Sequence, residues 1–281
     1  MSRTVAVTNQ KGGVGKTTTA VNLSAMLGEM GQRVLLVDLD PQGNASSGAG
    51  MEAGDASVYE VLMGQAPARS AVESTDWKGL DVMASDIRLA GAEVELVNLP
   101  QREYRLKTAL SAISADYDII LIDCPPSLGL LTLNALAAAD SVLVPIQCEY
   151  YALEGVTSLM ETITRVRRGI NPRLEIEGIL LTMLDGRTNL GLQVVEQVKK
   201  HFPQQVYSVT VPRSVRLSEA PSHGEPIHIY DAKSAGSLAY AALAREFLSR
   251  NGASPLPSSL DEVKREKKDG GKKDKKKKKK K

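Results

Sequence analysis

Short, almost wholly apolar runs alternate with amphipathic segments of helical length along most of this 281-residue chain. Runs such as "DIILID", "SVLVPI" and "GILLTML" are typical of strands that are buried on both faces of a parallel sheet. The alternation predicts one α/β domain with a doubly wound, mostly parallel β-sheet, right-handed crossovers and helices on both faces. Strands are predicted over residues 4–8, 33–37, 80–83, 117–122, 141–146, 176–183 and 206–211, and helices over residues 16–29, 128–138, 153–167, 190–201 and 234–249.

Charge is divided unevenly between a long acidic part and a short basic tail. Residues 251–281 contain 13 Lys and Arg against 5 Asp and Glu, whereas residues 1–250 contain 22 basic and 28 acidic side chains. The tail is rich in Pro, Gly, Ser and then Lys, so we expect it to be disordered and the domain to occupy residues 1–250. Any contact of that domain with nucleic acid would need a local basic patch. The lysine run itself is open to two interpretations, a solubilising appendage or an auxiliary tether to DNA.

The remaining composition favours a cytoplasmic protein. Cys124 and Cys148 form neither a metal-binding spacing nor a disulfide framework. No apolar run reaches the roughly 20 residues that a membrane-spanning helix needs. The first predicted strand begins almost at the N-terminus, which leaves no room for a signal peptide.

The stretch "NQKGGVGKTTT", residues 9–19, lies between the first predicted strand and the first predicted helix. It departs from the pattern G-x-x-x-x-G-K-[ST] because Gln10 stands where that pattern has glycine. In a strand–loop–helix context, however, the backbone N–H groups of residues 12–17 can surround a phosphate at the helix N-terminus. Lys16 would reach the outer phosphates, and the Thr17 hydroxyl would bind Mg²⁺. The stretch therefore predicts a P-loop NTPase.

Carboxylates follow two other predicted strands. "VLLVDLDPQGN" places Asp38 and Asp40 after one apolar run, and "DIILIDCPP" places Asp123 after another. Because ligands of parallel sheets bind at the carboxyl ends of the strands, these side chains are expected to face the P-loop. Asp123 is interpreted as the acid that holds Mg²⁺. Of Asp38 and Asp40, one can assist the metal while the other positions the attacking water.

The three stretches together resemble a known family. "KGGVGKT", "DLDPQGN" and "DCPPSLG" are similar to motifs of the deviant Walker A ATPases, and most closely of the ParA/Soj chromosome- and plasmid-partitioning ATPases. The resemblance covers about residues 2–250, and "LLTMLDGRTNLG" and "VPRSVRLSEAPSHGEPI" sharpen it. It implies ATP and Mg²⁺ as ligands. The implied nucleotide-binding residues of the loop are Lys11, Gly12, Gly13, Val14, Gly15, Lys16, Thr17 and Thr18.

The resemblance also implies a homodimer in which two subunits hold ATP face to face. The lysine that matches Lys11 reaches across to the phosphates of the other subunit, and Gly12 matches a position where a larger side chain would obstruct the dimer. Residues 38–44 and 123–129 correspond to two switch segments that sense the γ-phosphate.

Catalysis in this family, by the same resemblance, needs Lys11, Lys16 and Asp40. Asp40 matches the residue that activates water, which leaves Asp38 to the metal together with Thr17 and Asp123. Hydrolysis is expected to be slow until a partner protein stimulates it.

Base recognition and DNA binding are predicted from the later blocks. No guanine motif N-K-x-D occurs, and Thr182, Met183 and Pro212 are the predicted adenine-pocket residues. Arg187 and Arg216 match arginines with which Soj-like members bind double-stranded DNA without sequence preference. The additional DNA-binding candidates are Arg213, Lys199 and Lys200.

These features favour a DNA-segregation ATPase that associates with the nucleoid and is stimulated by a ParB-like centromere-binding protein. The alternative is a MinD-like membrane-positioning ATPase, which would need a C-terminal amphipathic helix. The tail has no apolar stripe, so no stable membrane anchor is expected. An iron–sulfur ATPase would need paired cysteines at a dimer interface, and Cys124 and Cys148 lack that spacing.

Overall fold

Eight strands form a single sheet in the computed structural model, which describes residues 2–149 and 152–258. The strands are β1 (Arg3–Val7), β2 (Val34–Asp38), β3 (Val72–Ser74), β4 (Leu80–Met83), β5 (Ile119–Asp123), β6 (Ser141–Gln147), β7 (Glu175–Leu184) and β8 (Val206–Pro212). Their order is β3-β4-β2-β5-β1-β6-β7-β8, and each neighbouring pair is parallel except β3 with β4. The prediction of a mostly parallel α/β fold is confirmed.

Helices cover both faces of this sheet. Within the described residues they are α1 (Lys16–Glu29), α2 (Asn44–Gly48), α3 (Val58–Met63), α4 (Leu89–Glu95), α5 (Arg105–Ser111), α6 (Leu130–Ala138), α7 (Ala152–Gly169), α8 (Asn189–His201), α9 (Val215–Glu219), α10 (Ile227–Tyr230) and α11 (Ala235–Arg250). One buried cluster packs α5 and α6 on the sheet through Leu106 and Leu131. The other packs α1 and α11 on the opposite face through Leu23 and Leu243. Both faces of the strands are therefore buried, which explains their continuous apolar sequences.

All seven predicted strands and all five predicted helices are present, with ends displaced by at most two residues. The sequence did not reveal β3, a three-residue antiparallel edge strand. It also missed the short helices, among them α2, α9 and α10, which have only four or five residues. Segments this short show no helical periodicity, and tertiary contacts hold them in place.

The strand order brings the ends of three strands together. β5 lies between β1 and β2, and Asp123 is in register with Val7 of β1 and with Asp38 of β2. The chain passes from β1 through α1 to β2 on one side, and from β5 through α6 to β6 on the other. Such a reversal opens a crevice at the carboxyl ends of the strands. The predicted P-loop and both carboxylate segments begin at this crevice.

The chain keeps contact with the domain after α11. The backbone N–H of Leu256 donates to the carbonyl oxygen of Met30 at 3.1 Å, and the side chain of Leu256 lies against Gly31. Ser258 is buried and accepts a hydrogen bond from Arg245 at 3.2 Å. These contacts lie beyond the C-terminal end of α1, away from the P-loop. The rest of the predicted tail, residues 259–281, lies outside the described residues.

None of the helices in the described part of the chain is long and apolar enough to cross a membrane.

One buried carboxylate, that of Glu177 on β7, ties four parts of the fold together. It accepts two hydrogen bonds from Arg3 at 2.9 and 2.7 Å, one from Ser141 at 2.8 Å and one from Asn251 at 2.8 Å. The side chain of Glu177 is only 2 % exposed. A buried charge of this kind is tolerated because every side of it is paired.

We expect Glu177→Ala to lower the free energy of unfolding by about 3 kcal/mol, because it leaves buried donors and part of a guanidinium without a partner. Urea denaturation measures this change. Glu175→Ala is the matched control: Glu175 is exposed on the same strand, and its replacement should change the stability by less than about 0.5 kcal/mol. Equal effects of the two replacements would contradict the structural role of Glu177.

Candidate functional site: a phosphate loop facing three carboxylates

The P-loop, residues 8–15, joins β1 to α1 and turns at its glycines. Gly13 and Gly15 have φ angles of 72° and 85°, a left-handed conformation that glycine adopts without steric cost. The first turn of α1 contains no acidic side chain. The free N–H groups at the start of this helix therefore present a positive end with no competing anion on the helix itself. This arrangement suits a phosphate group.

The Lys16 side chain lies over the loop that precedes it. Lys16 is only 7 % exposed, and its Nζ atom donates to the carbonyl oxygen of Lys11 at 3.3 Å. Burial lowers the pKa of Lys16, while the nearby carboxylates of Asp123 and Asp40 act in the opposite direction. A cation that has lost most of its water interacts more strongly with a neighbouring anion.

Two buried side chains fix the shape of the P-loop. Asn9 donates to the carbonyl oxygen of Pro145 on β6 at 2.8 Å and accepts from the backbone N–H of Lys11 at 3.1 Å. The hydroxyl of Thr182 on β7 donates to the carbonyl oxygen of Val14 at 2.8 Å. The loop is thus braced by the two strands beside it, and this leaves less ordering to be done when a ligand binds.

Thr17 and Asp123 meet where α1 begins and β5 ends. The Thr17 hydroxyl donates to Oδ2 of Asp123 at 2.7 Å. The other oxygen, Oδ1, is buried and has no hydrogen-bond partner. Burial raises the pKa of Asp123 well above its ordinary value, and the charge of Asp38 raises it further. A carboxylate in this position is stabilised by a cation.

Asp38 and Asp40 follow β2 but differ in their surroundings. Asp38 is fully buried and accepts from the N–H and hydroxyl of Ser46 at 2.8 and 2.7 Å, and from the N–H of Asp40 at 3.1 Å. Burial raises the pKa of Asp38 to about 6, although these hydrogen bonds oppose the shift. Asp40 is partly exposed and caps the following turn by accepting from the N–H of Gln42 at 3.0 Å.

Lys11 points away from the phosphate loop of its own chain. Its Nζ atom lies 3.2 Å from Oε2 of Glu149, and the two side chains are 41 % and 47 % exposed. Gly12 and Gly13 beside it are exposed, and a Cβ atom added to either would have no neighbour within 4 Å. The outer rim of the P-loop is therefore an open surface. The structure does not bring Lys11 to the position where Lys16 lies.

The three predicted base-pocket residues line one cavity. Thr182, Met183 and Pro212 surround a space of about 350 Å³ that opens beside Gly15 and is also lined by Arg213. Met183 has a φ of 52°, a conformation that costs energy in a non-glycine residue and occurs often at functional sites. The volume lies in the range of small-molecule pockets. Arg213, predicted to bind DNA, thus lies in the wall of this cavity.

The two main DNA-binding candidates follow neighbouring strands and are both paired with acidic side chains. Arg187, in the loop after β7, is 90 % exposed and lies 2.7 Å from Asp185. Arg216, on α9 after β8, lies 3.0 Å from Glu219 and 3.5 Å from Asp231. The two segments follow adjacent strands because β7 and β8 are neighbours in the sheet.

The structure separates the weaker candidates Lys199 and Lys200 from these arginines. Both lie in the last turn of α8, whose first residue follows the loop that carries Arg187. At 1.5 Å per residue, the length of the helix puts roughly 15 Å between the two ends. These lysines do not belong to the same patch.

Cys124 and Cys148 are both buried free thiols. Burial raises the pKa of Cys148 to about 11 and that of Cys124 further. Within the described residues, no group of three or more His, Cys, Asp and Glu side chains is placed to hold a metal ion. The iron–sulfur alternative gains no support from this arrangement.

Three residues of the site were not foreseen from the sequence: Asn9, Ser46 and Glu149. Each is a small or acidic side chain in a loop or short helix, and each takes its role from a partner on another element. For Asn9, its place at the start of the P-loop was the available signal. The sequence around Ser46 and around Glu149 shows no pattern that would predict the residues that they contact.

We expect Thr182→Val to weaken nucleotide binding by roughly three- to tenfold, because it keeps the shape of the side chain but removes the bond to Val14, worth about 1 kcal/mol. Titration calorimetry with ADP measures the change. Thr108→Val is a control at an exposed threonine of α5 whose hydroxyl donates only to the carbonyl oxygen of Tyr104, at the start of the same helix, and it should leave the affinity within about twofold. An unchanged affinity in Thr182→Val would show that the loop keeps its shape without the brace.

Comparison with known proteins agrees with this geometry. A family model described as an AAA domain matches residues 2–176. The sporulation initiation inhibitor protein Soj of Bacillus subtilis is 58% identical over 248 residues, which cover 88% of this chain and 98% of that protein. The chromosome partitioning protein ParA of Myxococcus xanthus is 55% identical, with 89% of each chain covered.

A solved structure extends the comparison to three dimensions. The cobyrinic acid a,c-diamide synthase from Mycobacterium smegmatis, with bound ADP and magnesium, is 40% identical with a TM-score of 0.78, covering 92% of this chain and 99% of that chain. The sequence matches to Soj and ParA are higher and span nearly the whole of those proteins. The chain belongs to the ParA/Soj family of chromosome-partitioning ATPases.

Proposed function

We propose that this protein is a DNA-segregation ATPase. It binds ATP with Mg²⁺ at the P-loop, forms a dimer and binds duplex DNA without sequence preference. It dissociates from the DNA when a ParB-like protein stimulates hydrolysis. The observation that carries the proposal is the meeting of Lys16, Thr17 and Asp123 at one crevice, where one carboxylate oxygen of Asp123 has no hydrogen-bond partner. The Soj and ParA relatives support the partitioning role. The ADP and magnesium in the related Mycobacterium smegmatis structure support the choice of ligands.

Thr17 and Asp123 fit a magnesium ion. The unpartnered Oδ1 of Asp123 and the adjacent Thr17 hydroxyl are oxygen donors, and Mg²⁺ is usually held by one or two such groups together with phosphates and water. When bound, the ion would offset negative charge on the phosphates. Asp38 was also predicted to bind the metal. Because its oxygens already accept bonds from Ser46 and Asp40, we propose that Asp38 instead holds the switch segment in place.

Asp40 is the proposed water-positioning residue. It is partly exposed at the mouth of the crevice, close enough to Lys16 and Asp123 to affect their protonation. Its backbone N–H is fixed by Asp38 at 3.1 Å. Asp40 can therefore orient a water molecule toward the phosphates that Lys16 holds.

Lys11 is proposed to act on the second subunit of the dimer. Lys16 occupies the P-loop of its own chain, whereas Lys11 is held at the open rim by Glu149. Exposed Gly12 and Gly13 leave that rim free to approach another subunit closely. A cation delivered by the partner stabilises phosphate charge only in the closed dimer, so ATP binding and dimerisation become linked.

DNA binding is proposed for Arg187, Arg213 and Arg216, through phosphate contacts. The carboxylates paired with Arg187 and Arg216 compete with DNA phosphates for these side chains. Binding should therefore be weak in this conformation and strongly dependent on salt. The proposed ParB-like partner would present a basic segment, which the acidic residues 1–250 can attract. Such a complex implies a cytoplasmic, nucleoid-associated protein.

The two lysines give separable predictions. We expect Lys16→Gln to lower the affinity for ATP by about a hundredfold, because it removes a charge-assisted contact of the loop. Lys11→Gln should keep the ATP affinity of the monomer within about threefold but abolish the ATP-dependent dimer. Calorimetry measures the first effect and multi-angle light scattering the second.

Lys78→Gln is the matched control for both variants, because Lys78 is an exposed lysine outside the crevice. It should bind ATP and dimerise as the wild type does. A Lys11→Gln protein that dimerises normally would refute the proposed role across the interface.

The arginine patch is tested by reversing one charge. Arg216→Glu should weaken the binding of nonspecific duplex DNA at least tenfold in the presence of ATP, because a phosphate contact is replaced by repulsion. Fluorescence anisotropy at several salt concentrations measures the affinity and its salt dependence. Arg173→Glu, the same charge change at an exposed arginine before β7, should leave the affinity within about twofold.

Anionic liposomes in place of DNA test the MinD-like alternative in the same assay. We expect no ATP-dependent sedimentation of the protein with liposomes. ATP-dependent liposome binding in the absence of DNA binding would favour the membrane-positioning function instead.

A further inference from the structure

Arg216 belongs to a small unit that we call the arginine platform, residues 215–231. It comprises α9, a 3-10 turn (Ala220–His223) and α10. Within it, the Arg216 guanidinium lies over the ring of Tyr230, with its central carbon 5.9 Å from the ring centre. The Tyr230 hydroxyl donates a hydrogen bond to Glu219 at 3.1 Å. His223 stacks on Tyr230 with ring centres 5.0 Å apart. These contacts join both ends of the platform, so a shift of one end changes the surroundings of Arg216.

The first contact of the platform with the nucleotide site is a pair of glycines. Gly50 follows α2, the helix whose Ser46 binds Asp38, and Gly224 follows the 3-10 turn of the platform. A Cβ atom added to Gly224 would lie 2.9 Å from the Cα atom of Gly50, and one added to Gly50 would lie 2.8 Å from the carbonyl oxygen of Gly224. The two backbones touch with no room for a side chain. A movement of α2, which directly follows the first switch segment, would therefore be transmitted through Gly50 to the platform.

The second contact runs through α1. The side chain of Asn22, which is 4 % exposed, donates to the carbonyl oxygen of Thr18 at 2.8 Å and accepts from the backbone N–H of Ile227 at 2.6 Å. Thr18 lies in the first turn of α1, beside Thr17, and Ile227 is the first residue of α10. One buried amide thus connects the helix that holds the phosphates to the platform.

An open cleft separates part of these elements. The cleft has a volume of about 260 Å³ and lies between the start of α1, α2 and the platform. Its lining includes Thr17, Thr18, Asn44, Ser47, Pro221 and Glu225, of which Asn44, Ser47 and Pro221 are exposed to solvent. Where the cleft lies, α2 and the platform are not packed against the start of α1. The two contacts described above link these elements directly.

We propose that the Gly50–Gly224 contact and the Asn22 bridge couple the nucleotide state to DNA binding, by setting whether Arg216 stays paired with Glu219 and Asp231 or turns to a DNA phosphate. The inference rests on the proposed function, because it assigns the regulation of the proposed DNA-binding patch. The carboxylate of Asp38 holds α2 and the Thr17 hydroxyl holds Asp123, so both elements that touch the platform also border the phosphate site. In this proposal Gly50, Gly224 and Asn22 act as positioning residues, through the elements that carry Asp38, Thr17 and Arg216.

Gly224→Ala is the direct test. Its Cβ atom would force Gly50, which follows α2, and the platform apart. We expect the variant to bind ATP with an affinity within threefold of the wild type and to form the ATP-dependent dimer. ATP raises the DNA affinity of the wild type above its value in ADP, and the variant should lose at least nine-tenths of that increase. Calorimetry, light scattering and fluorescence anisotropy on one preparation measure the three quantities.

Gly252→Ala is the matched control. Gly252 also has a positive φ, 69° against 64° for Gly224, but no atom lies within 4 Å of an added Cβ. It carries the same backbone strain without the contact, and it should keep the full gain. A Gly224→Ala protein that keeps the full gain as well would overturn the inference.

Asn22→Ala provides a second test that involves no backbone strain. Like Gly224→Ala, it should reduce the increase in DNA affinity that ATP gives over ADP, by at least threefold. The variant should still bind ATP and dimerise. Loss of the dimer in both variants would overturn the coupling role and place these residues in assembly. A wild-type protein whose DNA affinity is the same in ATP and ADP would instead refute the proposed function itself, so the two failures are distinguishable.

Discussion

The hydrogen bond between Thr17 and Asp123 is the contact on which the rest of the site depends. It joins the first turn of α1 to the end of β5, two elements that belong to different crossovers of the fold. α1 is packed on the sheet through Leu23, and β5 lies in the middle of the sheet between β1 and β2. The position of the phosphate-binding helix relative to the carboxylates is therefore set by the hydrophobic core. A flexible loop could not hold two oxygen donors this closely without an entropic cost.

The electrostatics of the crevice favour the binding of a cation. Asp38 and Asp123 are buried next to each other, and burial raises the pKa of both carboxyls. Lys16 is the buried cation among them, and burial lowers its pKa. Burial thus works against the charged form of all three side chains. A bound cation would stabilise the ionised carboxylates and offset that cost.

Much of this arrangement follows from sequence, and the reasons are local. Continuous apolar runs predict parallel strands, and parallel strands place Asp38 and Asp123 at the same edge as the P-loop. The same rule predicts a ligand near Thr182 and Pro212, which lie near the end of β7 and at the end of β8 and line one cavity.

The contacts that sequence could not supply are those between distant, short elements. The Ser46–Asp38 bond depends on a five-residue helix that has no periodic pattern. The Gly50–Gly224 contact joins residues far apart in the chain. Gly224 stands in the block "VPRSVRLSEAPSHGEPI", but nothing in that block indicates a contact with Gly50. Such pairs arise from the tertiary packing of helices and loops, which local propensities do not encode.

The pairing of Lys11 with Glu149 has a consequence for the approach of two identical surfaces. The rim of the P-loop carries a cation and an anion side by side, so its long-range field is nearly cancelled. Two copies of this rim would therefore repel each other less than two rims of free lysines would. Because both side chains are half-exposed, the ion pair is worth at most about 1 kcal/mol, and Lys11 can leave Glu149 at little cost when a stronger anion approaches.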